Sequence, residues 1–589
     1  MKKIRGMRLV LVSLTLVTAI VAQGTSPAGS AMSTKSLLYS HSAEAIARNL
    51  TGISPTVVVA GTNAASVGTY EKFEVYLELD NVVVENPYDP EDIDLYAIFT
   101  TPSGREIRIN GFYDNYLDAD QWKIRFATNE TGKHTYRVFV RNAGEEGASE
   151  EHGFVATESG HKGWIKPSDV NPHYFMHDDG STYYGVGVYS PWRNTMERFN
   201  TFSEQDANLF AIWDITYGGF VNGTGLIEEE LGRYNQLKLG RIDSMLSILE
   251  ASDIQLMYAI WPHDLFSKTV WAAQWKLNPY NQLCDVDDVY SDPVVWEYQK
   301  KKYRYLIARF AHSRSMGIWE LINEMNGTDG WAHGRHQECY DWVEKCDRYF
   351  EQNDPYNHPM TASFSGGFTE YREPLYTRND IPNLHMYPAQ GWPVKYPEDS
   401  LRSAMYNYAW AARRFWDNFD KPAIFGEAGA GLAYFDTDDP RYHVSYHNQI
   451  WATLTNGLAA IPVWWDEYIL TPDDWDQLQV LAGFVAGLDL ANLPYRPLTA
   501  AANGADLYVM GAGMEAFGWG RCYGKEDISG TKLTIEGMDD LQFVVTWTDP
   551  WTGKQIASSS QKAKKGTLVV KVPEMKIPRQ DIAFKIRGK

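Results

Sequence analysis

The rhythm of apolar and polar positions changes twice along the chain. From about Thr56 to Ala156 the apolar residues come in short runs: Val57 to Val59, Phe73 to Leu79, Leu95 to Phe99, Trp122 to Phe126 and Thr135 to Val140. Phe73, Val75 and Leu77 alternate with Glu74, Tyr76 and Glu78, the period of a strand with one buried face. Turns such as Pro102-Ser103-Gly104 and Glu130-Thr131-Gly132 separate the runs, which predicts a β-sandwich over 50–160. From Gly163 to about Leu493 strand-like runs alternate with helical patterns, as in a parallel sheet. The strand candidates are Tyr183 to Val188, Leu209 to Ile215, Ile254 to Ile260, Gly317 to Ile322, Met360 to Phe364, Leu384 to Tyr387, Ala423 to Phe425 and Ala459 to Trp465. Eight units over 163–495 fit a (β/α)8 barrel with enlarged loops. Asp292-Pro293, Asp439-Pro440 and Thr471-Pro472 each place a capping side chain before a proline at a helix start. Short strands return from about Asn503, which predicts a second, smaller β-sandwich over 500–589. The expected fold is α/β: a TIM barrel flanked by an N-terminal and a C-terminal β-sandwich domain.

Two of the predicted barrel strands end in carboxylates. Ile318-Trp319-Glu320-Leu321-Ile322 runs into Asn323-Glu324 and breaks at Gly327; Ala423-Ile424-Phe425-Gly426 runs into Glu427. A barrel gathers the C-terminal ends of its strands into one bowl. The other ends supply Tyr189 and Trp192, Trp213, Asp214 and Tyr217, Trp261, His263 and Asp264, His385 and Tyr387, and Trp464, Trp465, Asp466 and Glu467. Asn-Glu recurs at Asn129-Glu130 inside an evident turn, so the dipeptide alone carries little; the second carboxylate in matching context carries more. Glycoside cleavage needs this set: one carboxyl kept protonated for the leaving oxygen, the other ionised. Glu324 is the candidate acid/base and Glu427 the candidate nucleophile. The negative charge of Glu427 is expected to raise Glu324. Asn323 can hydrogen-bond a sugar 2-hydroxyl, Tyr387 can hold the nucleophile, and tryptophans can stack on sugar faces.

Composition narrows the setting. A chain of 589 residues needs several cores. Net charge −21 argues against nucleic acid or an anionic membrane as partner. The basic start Lys2, Lys3, Arg5 and Arg8, followed by apolar Leu9 to Ala22, reads as a signal peptide over 1–31, so the protein is expected to be secreted, extracellular or periplasmic. Cys339 and Cys346 fall at core-facing helical spacing, too far apart to bridge each other; Cys284 and Cys339 remain an open pairing. Asp285 to Asp288 and Asp436 to Asp439 are weak calcium candidates, and no cofactor or metal is expected at the bowl.

The set Asn323-Glu324, His385-x-Tyr387, Glu427 and Trp464 resembles glycoside hydrolase clan A, the retaining (β/α)8 enzymes, in its cellulase- and mannanase-like members. Asn86-Pro87-Tyr88-Asp89-Pro90 and Gly111-Phe112-Tyr113-Asp114 resemble the immunoglobulin-like domain found ahead of such barrels. Asp549-Pro550-Trp551-Thr552-Gly553 resembles the terminal module of apiosidase-like enzymes, where carbohydrate binding and packing against the barrel are both open. The resemblance implies catalysis by Glu324 and Glu427 and substrate contacts from Asn323, Tyr387, His385, Trp464, Trp213, Trp261 and His263. It implies a retaining hydrolase of β-linked oligosaccharides or polysaccharides, of gluco- or manno-configuration by default. The family's arginine near the end of strand two has no obvious equivalent before Trp213. A non-catalytic glycan-binding barrel is the alternative. A metal-dependent barrel hydrolase would want a His-x-His pair ending strand one, which Tyr184-Gly185-Val186-Gly187-Val188-Tyr189 does not offer.

Overall fold

A computed structural model describes residues 54–191, 196–214, 226–366, 373–387, 395–429, 439–465, 472–524 and 527–589. The expected signal peptide, Trp192, Tyr217, Asp436 to Asp438, Asp466, Glu467 and Thr471 lie outside the described residues.

Eight parallel strands close a barrel: β1 (Gly187–Tyr189), β2 (Leu209–Trp213), β3 (Gln255–Pro262), β4 (Met316–Asn323), β5 (Met360–Ser365), β6 (Ile381–Met386), β7 (Ile424–Ala428) and β8 (Trp464–Trp465). Val188 pairs with Trp464, which joins the first strand to the last. Among the described residues a main helix follows each strand: α1 (Met196–Glu204), α2 (Gln236–Ala251), α3 (Pro293–Phe310), α4 (His336–Asn353), α5 (Glu373–Arg378), α6 (Ser400–Asn418), α7 (Arg441–Leu454) and α8 (Pro472–Val485), with a further one-turn helix at Asp329–Ala332 after β4. The expected cap of α3 forms, with Asp292 accepting from the Val294 and Val295 amides. At α7 Pro440 is itself the cap, and Asp439 accepts from the Arg441 amide just inside. The first strand starts later than expected. Thr182–Tyr183 instead pairs back on Phe175–His177 after the Gly180 turn, in a small antiparallel sheet ahead of the barrel. The last strand is likewise reduced to two residues, with Ala460 making only a bridge to Gly185.

The N-terminal β-sandwich packs a four-stranded sheet on a six-stranded one over Phe73, Val75, Leu77, Leu95, Phe99 and Val138. The C-terminal domain is a nine-stranded antiparallel sheet curled over Leu533, Ile535, Phe543, Trp547, Leu568 and Phe584.

Both flanking domains are tied to the barrel by buried polar groups. Arg125 of the N-terminal sandwich pairs with Glu74 and with Asp243 of α2, while Arg309 of α3 pairs with Asp114 and Asp243. At the other end, Trp551 stacks on His447 of α7 with ring centroids 3.8 Å apart. Asp581 accepts from Trp551, Trp519 and His447. The Asp549 to Gly553 turn thus packs against the barrel. Cys284, Cys339, Cys346 and Cys522 are free thiols, so the Cys284–Cys339 pairing does not form.

Candidate active site

The bowl is built at the exit of β4. Trp319 and Leu321 belong to the barrel's core. Glu320, in the same buried strand, must find partners because a charge cannot be left unsolvated there. It accepts from Ser363 at 2.7 Å and from Tyr189 at 3.1 Å. The strand ends at Asn323. Glu324 then takes a left-handed backbone (φ 59, ψ 66), a conformation that costs a β-carbon-bearing residue about 1–2 kcal/mol. Neighbours hold it there. The Glu324 amide donates to Ser363 at 2.9 Å, and Asn326 clamps β5 through the amide and carbonyl of Ser365. The turn aims the Glu324 carboxylate into the barrel mouth.

Glu427 arrives from β7. Tyr387 donates to its Oε1 at 2.8 Å and Asn323 to its Oε2 at 3.2 Å. Between the two carboxylates lies His385, its Nδ1 3.1 Å from Glu324 and 3.4 Å from Glu427. Its Nε2 is 3.5 Å from Glu320. One oxygen of Glu324, a ring nitrogen of His385 and one oxygen of Glu427 all lie within 4.8 Å of one another. His263 closes the far side, 3.3 Å from the Asn323 amide oxygen and 2.9 Å from Asp264. Trp213 meets His263 and Trp465 edge-on, and Trp465 stacks on Tyr189.

Three expected positions face away from the bowl. Trp464 donates to Gln449 and packs on Tyr442 and Tyr446 of α7. Trp261 donates to Tyr303 and lies under Lys302, both on α3. Asp214 pairs with Lys302 and Lys238 between barrel and helices. For Asp214 and Trp464 the reason is the two-residue period of a strand: neighbours point to opposite faces. Trp465, not Trp464, therefore reaches the mouth. Reading by alternation from Tyr387 and His385, which share a face, would have flagged this. Glu320 was also missed as a functional group, although a lone carboxylate inside an apolar strand is itself a signal.

The charges follow from these distances. Burial works against a charged His385, yet Glu427, Glu320 and Glu324 push it up to about 10, so it is an imidazolium at neutral pH. Burial likewise opposes a charged His263, but Asp264 and Glu324 raise it. Burial and the charge of Glu324 push Glu427 up to about 7, against the pull of His385, Tyr387 and Asn323. Burial acts on Glu324 too, but His385 first and His263 second hold it below the usual range. The two carboxyls are thus pushed in opposite directions, Glu427 up and Glu324 down, the reverse of the expected order. The cause is the cation: His385 donates to Glu324 at the shorter distance.

Glu324, His385 and Glu427 are also the three groups whose ligand-type atoms lie close enough to share a metal ion. A metal would need the lone pair of a neutral imidazole. Here Nδ1 carries a proton shared with two carboxylates, which disfavours that use. The calcium candidate Asp285 to Asp288 is engaged elsewhere, with Asp285 on Lys268, Asp287 on His333 and Asp288 on Arg335.

Comparisons with known proteins agree with this architecture. Residues 66–141 match the family model described as a domain of unknown function, DUF5060. A curated relative from Aspergillus terreus (strain NIH 2624 / FGSC A1156), named by inference mannan endo-1,4-beta-mannosidase C, is 25% identical over 238 residues. That alignment covers 37% of this chain and 56% of the relative's length. An inferred glycoside hydrolase from Bacteroides vulgatus ATCC 8482, known from its crystal structure, superposes with a TM-score of 0.61 at 15% identity. It covers 89% of this chain and 100% of its own, a likeness of fold. In fold the chain resembles the (β/α)8 glycoside hydrolases.

Proposed function

We propose that the chain is an exported retaining glycoside hydrolase that cleaves β-linked, manno-configured glycans by double displacement. The observation that carries this is the pair Glu324 and Glu427, brought across one bowl to within 4.8 Å. Carboxyls about 5 Å apart suit direct attack, whereas a gap of about 6.5 Å or more leaves room for a water. The manno-configuration rests on the name of the curated relative.

Glu427 would attack the anomeric carbon while Glu324 protonates the leaving oxygen. This requires the shared proton to lie on Glu324 when substrate binds. Positive charge developing at the anomeric carbon favours the Glu427 anion, and the leaving oxygen accepts a hydrogen bond from protonated Glu324. His385 bridges the two and offers the path. In the second step Glu324 takes a proton from water, which attacks the glycosyl ester and frees Glu427.

A panel of β-linked polysaccharides with reducing-end detection tests the activity, and NMR of the first-formed anomer tests retention. Incubation of Glu324→Gln with an activated 2-fluoro glycoside should leave a covalent adduct on Glu427, read by mass spectrometry. A Glu427→Gln variant as active as the wild type would sink the mechanism. A wild type that binds glycans without cleaving any would favour the non-catalytic alternative.

A further inference from the structure

The net charge of −21 hides a basic end. From Lys554 to Lys589 ten lysines and arginines stand against two acidic residues, Glu574 and Asp581. Asp581 is buried and bonded to His447, so only Glu574 faces solvent. Local charge, not the sum over the chain, decides what a surface attracts. The same segment leaves a seam in the C-terminal sheet. Strand Gln555–Lys562 stands at one end of the nine-stranded order and strand Thr567–Lys571 at the other. A tight turn joins them, with a single bridge from Lys564 to Thr567. Beyond it Gln555–Lys562 pairs with Gln542–Thr548, and Thr567–Lys571 with Lys532–Glu536. Each strand therefore keeps one edge of backbone groups outside the sheet's ladders, an edge open to another strand. A cleft of about 470 Å³ lies there, lined by Ser559, Ser560 and Gln561 of the first strand, Val569 and Lys571 of the second, and Lys532. Lys532 and Lys571 are directly opposite each other across their strand pair, and like charges so placed repel. Lys571 has Glu574 at 3.8 Å; Lys532 has no carboxylate partner among the described residues.

From this placement we propose that the seam takes an extended acidic peptide as an added strand. The peptide backbone pairs with the free edges, and its carboxylates lie on Lys532 and Lys571. A lone lysine on an edge strand serves to keep other strands away. Two on one rung beside a cleft favour an anion instead. A peptide strand matches both features, the open edges and the charge. An acidic polysaccharide or a nucleic acid matches only the charge. A second copy docking seam to seam would set basic against basic, which disfavours it. The seam and the bowl share no residue, so the inference stands apart from the glycosidase reading.

The probe is a fluorescent peptide of alternating Glu and Thr, titrated into the full chain and followed by anisotropy. It should bind at low salt and weaken as salt rises, because exposed charges are screened. A second peptide with Pro in place of each Thr keeps the charge but lacks half of the backbone donors. It should bind about ten-fold more weakly, since strand pairing supplies much of the affinity in this mode. Lys532→Glu combined with Lys571→Glu should weaken the first peptide about ten-fold or more, as attraction turns to repulsion. Lys532→Gln combined with Lys571→Gln, which relieves the repulsion and leaves the fold intact, should weaken it less. Hydrogen exchange of the wild type should show the amides of 555–562 and 567–571 gaining protection when the first peptide is added. No binding, equal binding of the two peptides, or unchanged exchange would overturn the added strand. Stronger competition by polygalacturonate or DNA than by the unlabelled peptide would overturn the choice of partner.

Discussion

Glu320 sets the charge balance of the bowl although it faces no open space. It is fully buried, held by Ser363 and Tyr189, and stands against the far nitrogen of His385. Replacing it by glutamine removes one of the three carboxyl groups that raise His385. The imidazole pKa should then fall below its present value of about 10, measurable by nitrogen NMR of the ring. A positioning effect on catalysis should accompany it, as a lower kcat with KM little changed. The acid/base residue leaves a different signature. Glu324→Gln should lower kcat on oligosaccharides by about 10²–10⁴-fold, and far less on a glycosyl fluoride, which needs no proton to leave. The pair Glu324 and Glu427 holds one proton, and burial places its loss near pH 7. Because the reaction consumes that proton at the leaving oxygen, kcat/KM should fall as pH rises above about 7. A flat profile from pH 6 to 9 would contradict the shared proton.

Single elements carry the next set of decisions. The turn at Asp549 to Gly553 lays Trp551 on the His447 ring and bonds it to Asp581, so it behaves as a clasp for the C-terminal domain. Trp551→Ala should destabilise the protein by about 3 kcal/mol, seen as a lower thermal midpoint, with KM for glycans unchanged. A raised KM at unaltered stability would restore the carbohydrate-binding reading of that module. Within β8 the step from Trp464 to Trp465 exchanges the helix layer for the bowl. Trp464→Phe should therefore lower stability through lost packing and the lost bond to Gln449, while Trp465→Phe should act on substrate turnover.

For the whole molecule, the sandwich and barrel are joined through ions taken out of water. Burial raises Glu74 and Asp243, but Arg125, with Lys72 at Glu74 and Arg309 at Asp243, brings both down to about 2. A carboxylate depressed in the folded state contributes stability above its unfolded pKa, near 4. That contribution is lost as pH falls from about 4 toward 2, so acid should loosen this interface progressively across that window. Arg125→Ala leaves two buried anions short of a partner, at a cost of about 3–5 kcal/mol at neutral pH, and should flatten the acid dependence. Calorimetry from pH 2 to 7 on both proteins separates the two effects.

What the sequence determined by itself was periodicity and end groups. Eight apolar runs at barrel spacing, two of them ending in Glu324 and Glu427, were legible because buried strands must be apolar and polar groups among them must have a use. The two β-sandwiches were legible for the same reason. Which face a side chain takes was decided only in three dimensions. Asp214 and Trp464 left the bowl on a one-residue alternation that short apolar runs do not mark. The order of the carboxyl pKa values was also tertiary, since it depends on an imidazole from β6 arriving between strands far apart in the chain.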